Sequence, residues 1–415
     1  MIFIFYHKFI LIMCGIWAYL SKYHVQVSPT LIKSFQEIAH RGPDTSSINL
    51  IIPHLIFGFH RLAIINPQSE ANQPIIQGNP PVTLICNGEI YNYQQLAKET
   101  GQELHTGSDC EVIIPMYQKW GLRETIKKLQ AEFCFILFDS ATNQLHVARD
   151  RFGVRPLFWM HSPETGELCF SSEAKGLIQG KDCILQPFPP NHYTTIHLTP
   201  SSTREGEIDF RIDPPMSYDS FKPLELTDSL SQSYQQINQL LTKSVKQRLM
   251  SDRPIGALLS GGLDSSLITY LAVNLLDQSQ LENFHCFSIG LADSVDLIAA
   301  QKVAQALKLK HHHVVHFTVE EGFQALEAVI KQLESYDVTT IRASVPQYIL
   351  AKYIANQTDV RVLLSGEGAD ELFAGYQYFK RSPDAQSLKA ESRRLLDELY
   401  LFDNLRTDRT TAVHG

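Results

Sequence analysis

From Ile255 onward, short apolar runs alternate with amphipathic stretches, and two of the runs end in Ser-Gly: "IGALLSGGLDSS" and "VRVLLSGEGADELF". This alternation narrows the fold sharply. Parallel strands cannot be joined by a tight turn and need a crossover, usually a helix, so the pattern predicts an α/β parallel sheet wound with helices. The strand-like runs are "IGALL", "FHCFSIGL", "HHHVVHFTV" and "VRVLL", with helices expected from Ser265, near 296–307, and up to 357. A further helix is expected from Ser231. There Ile237, Leu240, Leu241, Val245 and Leu249 recur at helical spacing, with Ser244, Lys246 and Arg248 falling between them. Ligands of such sheets bind beyond the carboxyl ends of the strands, where both Ser-Gly segments fall.

The first half, to about Leu198, has a different rhythm. Short strand-like runs such as "HLIFGFHRLAII" and "PVTLICNGEIYN" dominate, and "EFCFILFDS" and "QLHVARD" flank "ATN" as a hairpin. Helical patterns lie at 30–40 and near 109–120, so an α+β layered domain is expected. The stretch 201–230 is rich in Pro, Ser, Thr and charge without a sustained period and reads as a linker between a domain at 14–200 and one at 231–415.

"LLSGGLDSS" (258–266) follows a strand and opens a helix. Its two glycines allow close backbone approach, its amides and hydroxyls converge, and a helix N-terminus favours negative charge, so a phosphate or pyrophosphate site is expected. "LLSGEGADELF" (363–373) repeats the design and adds Glu367, Asp370 and Glu371. Acids beside a phosphate loop repel it unless magnesium lies between, and Asp264 with Asp370 can supply that bridge. "HHHVVH" (311–316) lacks the separated ligand pairs of a zinc site and reads as edge or surface histidines.

At the start, Met13 stands directly before Cys14-Gly15. Translation from Met13 and loss of that residue would leave a cysteine carrying both a thiol and a free α-amine, whose pKa near ~8 lets it take the thiol proton. Residues 1–13, "MIFIFYHKFILIM", are interrupted by His7 and Lys8 and fall short of the roughly 20 apolar residues that span a bilayer. They are read as an extension absent from the mature chain. In "NGEIYN" the Asn87 amide and the Gly88 N–H are candidate oxyanion donors. Arg41 in "HRGPD" and Arg61 in "FHRLAII" suit a substrate carboxylate, and Asp109 an ammonium. A net charge of −8 over 415 residues argues against nucleic-acid or anionic-membrane partners, and seven scattered cysteines without a CxxC pair indicate a reducing cytoplasm.

Taken in order, "MCGIWAYL", "HRGPDTS", "GFHRLAII", "CNGEIYN", "RDRFGVRPLF" and "SSEAKGL" resemble the glutamine amidotransferase half of glutamine-hydrolysing asparagine synthetases. "LLSGGLDSS", "SYDVTTIRAS", "LLSGEGADELF" and "LRTDRTTAVHG" resemble the synthetase half. The resemblance runs from Met13 to the last residue. It implies an N-terminal nucleophile αββα sandwich followed by an ATP-pyrophosphatase-type domain, acting on glutamine, aspartate and ATP with Mg2+. A homodimer is among the assemblies it allows.

By similarity Cys14 is the nucleophile, Asn87 and Gly88 form the oxyanion hole, and Arg61, Ile64, Ile65, Glu89 and Asp109 join them in holding glutamine. Ammonia would pass through a protected tunnel to a second site. There Leu259, Ser260, Gly261, Gly262, Asp264, Ser265, Ser266, Ile289, Ser365 and Gly366 contact ATP, and Thr339, Thr340 and Arg342 contact aspartate. Glu367 is similar to the acid that supports adenylate formation and ammonia attack, and Asp264 with Asp370 would hold the metal. A β-lactam synthetase type shares the architecture but generally lacks the cysteine. Family members continue beyond the "TAVHG" position with further helices that complete the synthetase site. The resemblance therefore implies ATP-dependent amidation of aspartate to asparagine with ammonia from glutamine, through a β-aspartyl-AMP intermediate. The alternative is a glutaminase-only or inactive fragment, in which residues 1–415 alone hydrolyse glutamine and make little or no asparagine.

Overall fold

The computed structural model describes residues 14–178, 183–220 and 229–412. They divide into two compact units, one within Met13–Ser220 and one within Phe221–His414. The proposed extension at 1–13 lies outside the described residues.

Two antiparallel sheets build the first unit. One runs in the order Ile184–Pro187, Phe158–Ser162, Glu167–Ser171, Gly15–Ser21, Leu55–Arg61, Thr45–Ile52. The other runs Ile208–Ile212, His192–Pro200, Gln144–Arg149, Ala131–Asp139, Val82–Ile90, Ile75–Gln77. Strand alternation decides what each face meets. Ile16, Ala18 and Leu20 point inward with Leu55, Phe57 and Phe59 against Ile136, Phe138 and Val147 of the facing sheet. Trp17 and Tyr19 point the other way, under Leu31 and Phe35 of the helix Pro29–Gln36. On the far side, Leu84, Cys86, Phe133 and Phe135 pack on Ile113, Met116 and Ile126 of the helix Ile113–Lys128. The layers are helix, sheet, sheet, helix. Because both faces of the inner strands are covered, all seven residues of Gly15–Ser21 are buried, which explains their unbroken apolar look.

The expected hairpin is present, with Asp139 opposite Gln144. The segment read as a linker is partly a sheet: Ile208–Ile212 pairs with His192–Pro200, and Met216 and Ser217 pair with Tyr193 and His192. Its alternation, with Ile208, Phe210 and Ile212 half-buried and Asp209 and Arg211 exposed, lasts only five residues inside a segment rich in Pro, Ser and Thr, too short to stand out as a period.

The second unit carries a four-stranded parallel sheet in the order His311–His316, His285–Gly290, Ile255–Leu258, Val362–Leu364. Helices Leu263–Leu275, Val295–Ala306, Val319–Leu333 and Val338–Gln357 form the crossovers. Phe287, Leu350, Ile354, Val360 and Leu363 form a core on it. The chain leaves Ile255–Leu258 toward one edge and returns on its other side at Val362–Leu364. That places a topological switch between the two strands that end in Ser-Gly.

The helix Leu230–Arg248 opens with a capping box of Ser229 and Gln232. Its buried face is Leu241, Ser244, Val245 and Arg248. Ser244 and Arg248, read as intervening polar positions, are therefore inside. The Arg248 guanidinium donates to Ser244 Oγ at 2.8 Å, which satisfies both groups away from water.

Candidate functional site

Cys14 lies at the mouth of the first unit's sheets, just ahead of the strand Gly15–Ser21. Its backbone N–H donates to Asn87 Oδ1 at 3.1 Å. Its thiol exchanges contacts with Leu62, approaching the Leu62 carbonyl at 3.5 Å while the Leu62 N–H lies 3.4 Å from the sulfur. Burial pushes the thiol up to about 12; the Leu62 hydrogen bond opposes this, the Glu89 charge adds to it, and Arg61 and Arg155 pull it back down. The resting group is a neutral thiol that needs a base.

Asn87 is buried, and with Oδ1 occupied its Nδ2 finds no acceptor among the described residues. A buried amide donor without a partner is costly, so this nitrogen is suited to an oxygen that a ligand brings. Beside it, Gly88 sits opposite Phe133 in the ladder, and a Cβ there would fall 2.4 Å from the Glu132 carbonyl oxygen, so only glycine fits.

Arg61 is buried. Its terminal nitrogens hold the following loop, with Nη1 on Gln68 O and Asn72 Oδ1, both at 2.8 Å, and Nη2 on Ile65 O at 3.2 Å and Asn66 O at 2.5 Å. Ile64 is buried and Ile65 half-buried beside it. Asp109 Oδ2 accepts the Ile90 N–H at 2.6 Å, and burial raises its carboxyl to about 6 against the lowering of backbone hydrogen bonds and Arg61. Glu89 is pushed up strongly, by burial and then by Asp109. Arg41 differs from its reading as a substrate clamp. It is fully buried, with Nη1 on Glu173 at 2.7 Å and Nε on the Cys14 carbonyl at 2.9 Å.

In the second unit a cleft of about 400 Å³ opens at the switch point. Leu259, Ser260, Gly262, Asp264, Ser265, Ile289, Ser365, Gly366, Glu367 and Asp370 line it. Ser260 Oγ and Ser265 Oγ lie 2.9 Å apart, and the Gly262 N–H donates to Ser260 Oγ at 3.3 Å, so the first Ser-Gly turn curls into a cup. The second turn packs on it: a Cβ on Gly366 would lie 2.8 Å from the Ser265 backbone nitrogen. Gly261 and Ser266 stand behind the lining; Gly261 has φ +84° and a Cβ there would meet the Ala300 nitrogen at 2.5 Å. The buried Ser266 hydroxyl has no partner among the described residues.

Acids gather at the same end. Burial raises Asp264, and Asp370 is raised by burial and then by Asp264, Glu367 and Asp403. Glu371 is pushed up to about 8 by burial and by Asp403. Glu367 accepts from Gln347 Nε2 at 2.9 Å and pairs with Arg406, which also contacts Asp403 at 2.6 Å. Two facing carboxylates beside a phosphate-sized cup suit Mg2+, which takes one or two protein carboxylates and completes its shell with phosphate and water. Among the described residues no group of three or more His, Cys, Asp and Glu could hold a metal ion. Of the three residues expected at aspartate, Thr339 lines the cleft, while Thr340 is buried with its N–H on Asp337 Oδ2 at 2.7 Å, and Arg342 is exposed outside the lining.

The histidine run lies on an edge strand, as expected. His285, His311 and His313 stack there, and His313 bonds His285 at 2.9 Å. None of the seven cysteines forms a disulfide. No helix among the described residues is long and apolar enough to cross a membrane.

The "Glutamine amidotransferase domain" family matches residues 13–200 and the "Asparagine synthase" family residues 236–414. The glutamine-hydrolysing asparagine synthetase of Mus musculus is 43% identical over 417 residues, covering 97% of this chain and 74% of its own. The chain belongs to the glutamine-hydrolysing asparagine synthetase family. A second relative, the probable asparagine synthetase of Acanthamoeba polyphaga mimivirus, is 40% identical over 425 residues with the same coverage. Among solved structures, a glutamine phosphoribosylpyrophosphate amidotransferase from B. subtilis matches at 14% identity and TM-score 0.40, covering 78% of this chain and 94% of its own.

The family half-sites hold partners that reading the residues alone missed. Arg406, Gln347 and Tyr376 line the cleft from elements far along the chain. Their only signal was the "LRTDRTTAVHG" motif for Arg406; Gln347 and Tyr376 had none. Glu173 had a motif, "SSEAKGL", but no assigned role.

Proposed function

We propose that the first unit hydrolyses glutamine at Cys14 and that the second activates aspartate with ATP, so that the released ammonia yields asparagine. The observation that carries the reading is the Asn87 side chain. Its Oδ1 takes the Cys14 N–H, and its buried Nδ2 has no acceptor among the described residues. A buried donor of that kind is suited to an oxyanion formed at the carbon that the thiol attacks.

In this reading the Cys14 α-amine takes the thiol proton and the thiolate attacks the glutamine side-chain carbonyl. The oxyanion is held by the Asn87 amide and the Gly88 N–H. The α-ammonium returns its proton to the leaving nitrogen, and collapse expels ammonia and leaves a glutamyl thioester, which water cleaves to glutamate and the free thiol. The amine must be free for this, so the working chain begins at Cys14. Arg61 supplies positive charge for the glutamine α-carboxylate and Asp109 negative charge for its ammonium, with Ile64, Ile65 and Glu89 lining the space.

In the second cleft the Ser260–Ser266 turn, Ser365 and Gly366 receive the phosphates, with Leu259 and Ile289 beside the base. The aspartate β-carboxylate attacks the α-phosphorus and pyrophosphate leaves; ammonia then displaces AMP. Thr339, Thr340 and Arg342 are proposed for aspartate, and Glu367 for supporting the adenylate and the ammonia attack. Mg2+ held by Asp264 and Asp370 would offset the pyrophosphate charge. The seat of this chemistry is the cytoplasm.

Cys14→Ala tests the first half: glutamate formation stops while ATP still binds. Persistent glutamine hydrolysis would overturn the assignment. N-terminal sequencing of active protein that finds residues 1–13 in place would overturn the free-amine base.

A further inference from the structure

Ser171–Leu177, the "SSEAKGL" segment, carries a buried acid for which the proposed chemistry has no use. Glu173 is fully buried and meets two cations, Arg41 Nη1 at 2.7 Å and Lys175 Nζ at 2.5 Å, and the His40 ring at Nε2, 3.2 Å away. Taking a carboxylate and a guanidinium out of water carries a desolvation cost that their attraction must first offset, so such a hub is a poor route to stability alone. Its geometry suits another purpose. The planar guanidinium of Arg41 is shared, with Nη1 on Glu173 and Nε on the Cys14 carbonyl at 2.9 Å. A rigid fork held at one nitrogen fixes the direction of the next.

We propose that Glu173 is a positioning residue for the Cys14 nucleophile, acting through Arg41. The segment that carries Glu173 is itself anchored. Ser172 exchanges two hydrogen bonds with Ile16, its Oγ accepting the Ile16 N–H at 3.0 Å and its N–H reaching the Ile16 carbonyl at 3.0 Å. Trp17 Nε1 and Ser34 Oγ both donate to the Gly176 carbonyl, at 2.8 and 2.6 Å. A Cβ on Gly176 would lie 2.3 Å from Ser171 Oγ, so the turn closes tightly only with glycine. Glu173 is thus bolted to the strand that Cys14, the residue it steers, directly precedes. Cys14 is then held at three points: its carbonyl by Arg41, its N–H by Asn87, and its sulfur by Leu62. Removing the carboxylate takes the charged partner from Arg41 Nη1 and loosens the fork that holds the Cys14 carbonyl. The thiol keeps its surroundings but loses its aim at the substrate carbon. The inference rests on Cys14 being the nucleophile.

The test is Glu173→Gln in the full chain, with Cys14→Ala in parallel. Steady-state glutamine hydrolysis is measured, and intact Cys14 is counted by iodoacetamide labelling and peptide mass spectrometry. The expected result is a kcat reduced roughly 10- to 100-fold, the scale of a small misplacement of reacting groups, with glutamine KM and the labelled Cys14 fraction unchanged. Parent-like kcat in Glu173→Gln, or a loss matched by the fall in labelled Cys14, would overturn the positioning role. Should Glu173→Gln fail to fold, Arg41→Lys serves instead: an ammonium cannot make both contacts in the fork's geometry, so the same kcat-selective loss is expected. Parent-like turnover of Arg41→Lys would break the proposed route. Activity surviving in Cys14→Ala would instead sink the nucleophile assignment on which the inference stands.

Discussion

Around Cys14 the chain occupies most of its own polar groups. Arg61 holds four oxygens of its neighbouring loop and Arg41 is shared between Glu173 and the Cys14 carbonyl; the Asn87 Nδ2 finds no acceptor among the described residues. The cleft at Ser260 and Ser365 is the opposite: an open space of about 400 Å³ in which hydroxyls and acids face one another. The contrast follows from what each surrounds. A strand end buried between sheets can fix one sulfur and one amide to a fraction of an ångström. Parallel strands ending at a switch point leave backbone and hydroxyl groups free to meet a large polyanion.

The largest expected effect tests whether the two regions are separate machines. Asp264→Asn removes one of the two facing carboxylates, so aspartate-dependent pyrophosphate release falls steeply, by part of the several kcal/mol a bound divalent ion contributes. Glutamine hydrolysis persists. Parallel loss of both activities would mean that Asp264 supports folding.

Asn87→Ala sharpens the other side. Loss of an oxyanion donor lowers the kcat for glutamine about 10²–10³-fold, while pyrophosphate release driven by added ammonia is unaffected. A change confined to KM would place Asn87 in substrate binding alone.

Acidity separates the clefts more gently. Asp109 is raised by burial to about 6, so its carboxylate, the proposed ammonium partner, is lost as pH falls through that value. The kcat/KM for glutamine should therefore decline below about pH 6 with that midpoint, and Asp109→Asn should abolish this limb while lowering kcat/KM at neutral pH. A profile flat through pH 6 in the parent enzyme would contradict the role.

Much of this contrast was legible beforehand. The strand–helix rhythm after Ile255 foretold the parallel sheet, and "LLSGGLDSS" and "LLSGEGADELF" marked the strand ends that face one cleft. What escaped were relations that no local period encodes. Ser244 and Arg248 look like surface positions because their burial depends on bonding each other. Gly366 packs on Ser265 from a hundred residues away, and Arg406 reaches Glu367 from the helix Asp403–Thr411. Glu173 stands in a motif, but only the fold reveals Arg41, Lys175 and His40 around it.

The smallest effect belongs to neither cleft. Ser229→Ala removes the capping box of the helix Leu230–Arg248 and should cost about 1 kcal/mol. The loss would be seen as a modest drop in thermal midpoint with glutamine hydrolysis unchanged.

The central claim is that Cys14, steered by its surroundings, attacks glutamine. The most direct measurement is rapid acid quenching of the enzyme during turnover with isotopically labelled glutamine, followed by peptide mass spectrometry. A labelled glutamyl group on Cys14, appearing and decaying at rates that match turnover, is the predicted result. Ammonia release without any adduct, or an adduct on another residue, would contradict it.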